Sequence, residues 1–258
     1  MPALAPLLAS LYYYGIVFAL CELGRRLGRA VVTSPQQVLF VNEFFGTLQL
    51  CAMAYENGLI LRHFGLVGFF LIIAASVILH TVTLGDAYAS PCPIFEQSTL
   101  ARRPSTSTND LLVRLVAQLA AGLTAFRLAK SIWGIGFMPD HTSLAEKYPC
   151  SSDLHVPPLY GLLYEMAASF ACRVIWLKGH GKYDRWPVLI DAIAVPTIVL
   201  LGLTRTGMYF NPILAFSLNY GCKGTTPLEH FLVYWLGPTL GWMLATEVHD
   251  RTNRLDLK

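Results

Sequence analysis

Apolar and polar positions alternate along this chain in long blocks. Apolar stretches lie at about 36–56, 64–84, 109–134, 157–178, 187–204 and 229–247, and a further one occupies residues 3–23. Each is near the about 20 residues that an apolar helix needs to cross a bilayer. Two shorter apolar runs follow a small polar residue and a proline: Ala89-Ser90-Pro91-Cys92-Pro93 and Phe210-Asn211-Pro212-Ile213-Leu214-Ala215. Ser or Asn caps the free N–H groups of a first turn, and proline suits the position after the cap. Neither run reaches spanning length before the chain turns polar, at Arg102-Arg103-Pro104 and Lys223-Gly224. The pattern predicts an all-α membrane protein with six spans, two re-entrant half-helices and an extra N-terminal hydrophobic helix.

The two halves repeat. Glu43 in Val41-Asn42-Glu43-Phe44-Phe45-Gly46-Thr47 stands 48 residues before Pro91, and Glu165 in Leu163-Tyr164-Glu165-Met166 stands 47 before Pro212. Each half reads as a span with a glutamate, a second span, a half-helix and a third span. Three spans per half is odd, so the halves run in opposite senses, and such repeats bring broken helices to the midplane from both faces. The expected division is a hydrophobic anchor and basic linker at 1–35, a channel domain at 36–247 and a tail at 248–258. The channel repeats are about 36–137 and 157–247.

Composition supports the bilayer. Of 258 residues 54% are hydrophobic and 14% charged, against about 25% charged in a soluble domain. The net charge of +3 is too small and dispersed for nucleic acid. Arg25, Arg26, Arg29, Arg102, Arg103, Lys178, Lys182, Arg185, Arg251, Arg254 and Lys258 fall on one side of this topology. Arg62, Lys147 and Lys223 fall on the other. The positive-inside rule puts the first set, and the C-terminus, in the cytosol. Arg127, Lys130 and Arg173 read as residues near helix ends that snorkel. Six cysteines without C-x-x-C spacing exclude zinc and thioredoxin readings. No G-x-S-x-G, phosphate loop or spaced His/Asp metal set points to an enzyme, a metal or a cofactor.

Glu43-Phe44-Phe45-Gly46-Thr47, Ala117-Gln118, Asn211-Pro212 and Val233-Tyr234-Trp235-Leu236-Gly237-Pro238 together resemble the aquaporin (major intrinsic protein) family over about residues 36–247. Its two Asn-Pro-Ala boxes stand here as Ser90-Pro91-Cys92 and Asn211-Pro212-Ile213. These departures, with the N-terminal helix, resemble the superaquaporin branch. The resemblance implies a passive channel for water and small neutral solutes such as glycerol and hydrogen peroxide. It also implies a homotetramer in the lipid bilayer of the endoplasmic reticulum or another internal membrane. Glu43, Glu165 and Gln118 would brace the pore loops. The family's outer constriction carries an arginine three residues after the second Asn, where this chain has Leu214. Its companions here are Phe70, Val199 and Met208, all apolar, so the filter should be wider and drier. Ser90 offers one hydroxyl where an asparagine offers two N–H donors. His80 and Asp86, ahead of the first box, either line the cytosolic vestibule or satisfy loop backbone, and the second is the preferred reading. Cys92 reads as packing. Cys150 and Cys222 fall on the oxidising side, where a disulfide would tie loop to loop. The competing readings are a non-conducting scaffold of the same fold and a secondary transporter. The transporter lacks a paired charge relay.

Overall fold

The computed structural model describes residues 4–99, 107–182 and 187–255. Arg102, Arg103, Arg185 and Lys258, which carry part of the sidedness argument, lie outside the described residues. So do the side chains of His180, Lys182 and Arg254.

The described residues are built of helices joined by short connections. α1 is Leu4–Val31, α2 Pro35–Thr83, α3 Cys92–Thr99, α4 Thr108–Trp133, α5 Pro139–Glu146, α6 Pro158–Lys182, α7 Pro187–Thr206, α8 Pro212–Asn219, α9 Pro227–Phe231 and α10 Gly237–Leu255. A wider, π-type stretch, Leu232–Leu236, joins α9 to α10 in one rod. α2 holds two of the expected spans. They meet at Gly65, whose φ of 64° lies where a residue with a Cβ is strained. The first arm therefore runs to 64, past the expected end near 56, and the reversal needs almost no loop. Prolines open α2, α5, α6, α7, α8 and α9. This is the position where the missing N–H costs nothing. Thr226 and Glu229 form a reciprocal cap at the start of α9. The hydrogen bonds from Thr226 hold the Glu229 carboxyl below the usual carboxylate range.

α6 and α10 approach closely, because a Cβ on Gly241 would stand 2.0 Å from the Met166 carbonyl oxygen and one on Gly237 2.9 Å from that of Leu162. Small residues at a crossing let two backbones touch. The two half-helices are each held by the opposite half of the chain. In α3, Glu96 receives both 2.9 Å bonds from Arg173 Nη2 of α6 and the indole N–H of Trp242 in α10. In α8, the Ser217 carbonyl receives the Tyr55 hydroxyl of α2, and Ser217 Oγ donates to Gly122 O of α4 at 3.0 Å. Arg173 is thus a correction to the snorkelling expectation. It is 8% exposed, stacked between Trp176 and Trp242, because Glu96 offers it a carboxylate inside the bundle. Arg127 and Lys130 are exposed.

α1 is packed into the bundle rather than set beside it. At one end Arg25, fully buried, donates to Thr83 O at 2.7 Å and Gln49 Oε1 at 3.0 Å and pairs with Glu22 at 2.9 Å. Arg25 is therefore not the solvated loop charge that the sidedness count assumed. At the other end Glu56 of α2, also fully buried, accepts from Ser10 Oγ at 2.6 Å and Trp133 Nε1 at 2.7 Å. His141 Nε2 lies 2.9 Å from the same carboxylate. One side chain joins α1, α2, α4 and α5.

The connection before α6 is tied to the end of α8. Cys150 and Cys222 form a disulfide with Cα atoms 4.8 Å apart. Ser152 N donates to Lys223 O at 2.8 Å and Lys223 N to Cys150 O at 3.2 Å.

Replacing Glu56 by leucine strands the three groups that converge on it. A buried polar group left without a partner costs about 1–3 kcal/mol, so Glu56→Leu should lower stability by several times as much as Glu146→Leu at an exposed position. Thermal unfolding of the two variants in detergent, followed by tryptophan fluorescence, reads the difference. Equal melting temperatures would contradict it.

Candidate functional site: two braced half-helices and the cavity they close

The residue before each box has a left-handed backbone: Ala89 at φ 50° and Phe210 at φ 35°. For residues with a Cβ this conformation costs about 1–2 kcal/mol each. What holds it is the glutamate of the same half. Glu43 accepts Tyr88 N at 3.1 Å and Ala89 N at 2.7 Å. Glu165 accepts Tyr209 N at 3.1 Å and Phe210 N at 2.6 Å. Hydrogen bonds to a charged group contribute about 1.5–3 kcal/mol each, so two of them offset the strain. Both carboxyls are fully buried, and the two arrangements repeat residue for residue.

The bracing shells differ between the halves. Glu43 forms an ion pair with Arg114, whose Nη1 also donates to Asp86 O at 2.7 Å, and whose guanidinium lies 4.0 Å from the centroid of the Tyr88 ring. Gln118 Nε2 donates to Glu43 Oε1 at 2.8 Å and to Ser90 O at 3.0 Å. Glu165 instead receives the Thr206 hydroxyl at 2.7 Å. Tyr234, from the Tyr-Trp-Leu-Gly-Pro stretch, donates to Thr206 O at 2.9 Å. Ser169 donates to Pro238 O at 2.7 Å. Arg114 escaped the sequence reading, although it stands one turn before Gln118 on the same helix face.

At the boxes, Ser90 Oγ accepts Cys92 N at 3.3 Å and Asn211 Oδ1 accepts Ile213 N at 3.1 Å. Each side chain therefore caps its own half-helix. Asn211 Nδ2 donates across to Ala89 O at 2.8 Å. That bond joins the two half-helix starts directly. Pro91, Cys92, Pro212 and Ile213 are buried, and Cys92 is a free thiol.

A cavity of about 380 Å³ opens beside Asn211. Its walls come from both arms of α2, from α7 and α8, and from 207–211. Val199, Met208 and Leu214 line it, and among the α2 residues of the wall is Phe69 but not Phe70. One residue is a turn of about 100° around a helix, which carries Phe70 off the lining face. Tyr148 and Asp153 line the cavity from the disulfide-tied connection, and Tyr209 donates its hydroxyl to Asp153. His80 also lines this cavity, and no hydrogen bond joins its side chain to loop backbone among the described residues, against the preferred reading. Asp86 instead lines a separate cavity of about 720 Å³ with Pro35, Asn42 and Arg114. Its carbonyl, as expected of a loop residue, is bonded to Arg114.

No family model matches the chain. Similar proteins are nevertheless found over nearly its whole length. It is 31% identical over 251 residues to a human sequence named for aquaporin-12A, covering 96% of this chain and 81% of that one. The chain belongs to the aquaporin family. It is also 29% identical to aquaporin-11 of Milnesium tardigradum over 243 residues, 94% of this chain and 87% of the other. Against human aquaporin-11 it is 29% identical over 237 residues, 88% and 83% of the two chains. These relatives place it with the superaquaporins: a multi-pass membrane channel protein and not an enzyme.

The difference in bracing has a measurable consequence for this aquaporin. Arg114→Leu leaves Glu43 buried without its cation, which costs about 3–5 kcal/mol. Thr206→Val removes one neutral donor from Glu165, at about 1.5–3 kcal/mol. Arg114→Leu should therefore melt well below Thr206→Val in the same detergent. The reverse order would show that the ion pair is not what steadies the first loop.

Proposed function

We propose that this aquaporin is a passive conduit for water and small neutral solutes, glycerol and hydrogen peroxide among them, through the cavity that ends at Asn211. The observation that carries the reading is the composition of that wall. Asp153, at the disulfide-tied connection, is the one Asp, Glu, Lys or Arg among the described lining residues, and the remainder is chiefly apolar. Two half-helix N-termini meet where Asn211 bonds Ala89 O. Each brings about half a positive charge, which opposes cations and protons while leaving neutral solutes unaffected.

Ser90-Pro91-Cys92 and Asn211-Pro212-Ile213 act as the pore boxes in this reading. One N–H of the Asn211 amide is used by Ala89 O, and the second is available to a passing oxygen. Ser90 adds a single hydroxyl. The constriction is formed by Phe69, Val199, Met208 and Leu214, without the positive barrier that an arginine at Leu214 would supply. Such a filter admits larger neutral solutes and passes water slowly. The family resemblance supports a homotetramer with one pore per subunit and residence in the endoplasmic reticulum or another internal membrane, and the distribution of basic residues supports a cytosolic C-terminus. The sequence also supports the division into 1–35, 36–247 and 248–258.

Stopped-flow light scattering of liposomes holding the purified protein tests the reading. Water and glycerol permeability should exceed those of empty vesicles. Leu214→Arg should lower glycerol permeability by about tenfold and water permeability by less, since the guanidinium narrows the wall and adds a donor. Wild-type flux at the level of empty vesicles, from folded protein, would favour the scaffold reading. An unchanged profile in Leu214→Arg would place the filter elsewhere.

A further inference from the structure

His80 lies in the last turn of α2 and faces the cavity. The lining residues of that arm are Phe69, Ile73, Ser76, Val77 and His80, a stripe at helical spacing. At about 1.5 Å per residue, His80 stands roughly 16 Å along the arm from Phe69. Phe69 is near the Gly65 reversal, so His80 stands at the opposite end of this lining stripe.

The imidazole is 9% exposed, and its Nε2 has no hydrogen-bond partner. Several other polar groups of the wall are committed to protein: Tyr55 donates to Ser217 O, Asn57 Oδ1 accepts from Tyr14 at 2.8 Å, Tyr209 donates to Asp153, and Asn211 spends its Oδ1 and one of its two amide N–H groups. A buried ring nitrogen without a protein partner is costly and calls for one from water or a solute. The torsion that turns an imidazole is soft, so a small rotation presents a ring nitrogen to the cavity.

We propose that His80 is a hydrogen-bonding station for the permeating solute, acting with the free N–H of Asn211 in the wall of the same cavity. The proposal rests on the channel reading and adds a specificity-determining residue to it. Asn211 can only donate from its amide nitrogen, whereas a neutral imidazole offers an acceptor as well. Together they satisfy both senses of a hydroxyl. A molecule with an O–H keeps a donor bond as it sheds water against Leu50, Val199, Leu203 and Leu214. The pair therefore favours hydroxylic solutes such as water and glycerol in a wall that is otherwise dry.

Three proteins decide it, each reconstituted in liposomes and read for water and glycerol permeability: wild type, His80→Leu and His80→Gln. Leucine fills the space without a polar atom, and should melt no lower than wild type because an unsatisfied nitrogen is gone. The expected result is a fall in both permeabilities of about three- to tenfold in His80→Leu, the size of one lost hydrogen bond. His80→Gln, which keeps a donor and an acceptor, should recover most of it. Wild-type permeabilities in His80→Leu, or a glutamine variant no better than leucine, would overturn the assignment while leaving the channel intact. Wild-type protein that conducts no more than empty vesicles would overturn the channel reading, and the role of His80 with it.

Discussion

Two buried carboxyls hold the centre of this molecule together. Glu43 and Glu165 each take two successive backbone N–H groups from the residues just before a box. The second N–H of each pair belongs to a residue in a left-handed conformation that it would not keep unaided. Without that backbone the chain could not reverse tightly enough to begin a half-helix in the middle of the bundle. With it, the starts of α3 and α8 come close enough for Asn211 to bond Ala89 O. The cavity, its apolar wall and the field of two helix N-termini all follow from this placement.

The halves share the brace and differ in what stands behind it. An ion pair with Arg114 backs the first glutamate, and neutral hydroxyls back the second. The far ends of the half-helices are secured in the crossed sense, α3 by Arg173 and Trp242, α8 by Tyr55 and Gly122. Each half therefore supports the other's re-entrant segment, and neither is complete alone. α1 extends the same logic to the chain start, since Arg25 and Glu56 fix its two ends to α2.

The matched spacing from glutamate to proline was legible in the sequence because the brace demands it: a carboxyl at one height on a span and a reversal at the same height on the next. The partners of charged residues were not. A single arginine in an apolar stretch looks the same whether it snorkels or meets a carboxylate from elsewhere. Arg173 and Arg25 were misjudged on that account, and Glu56 and Arg114 drew no notice. Phe69 against Phe70 is the same limit at the scale of one residue, because helix rotation is set by packing that no local pattern records. The joining of both α2 arms at Gly65 shortened a connection that apolar runs alone could only bracket.

The most direct measurement is the water permeability of Glu165→Gln protein in liposomes, compared with wild type at equal protein density. Glutamine has the shape of glutamate, but its amide nitrogen presents N–H groups where an oxygen accepts backbone N–H from Tyr209 or Phe210. If the brace shapes the conduit, the variant folds, melts lower, and conducts close to the level of empty vesicles. Folded variant protein with wild-type permeability would show that the conduit does not depend on the brace.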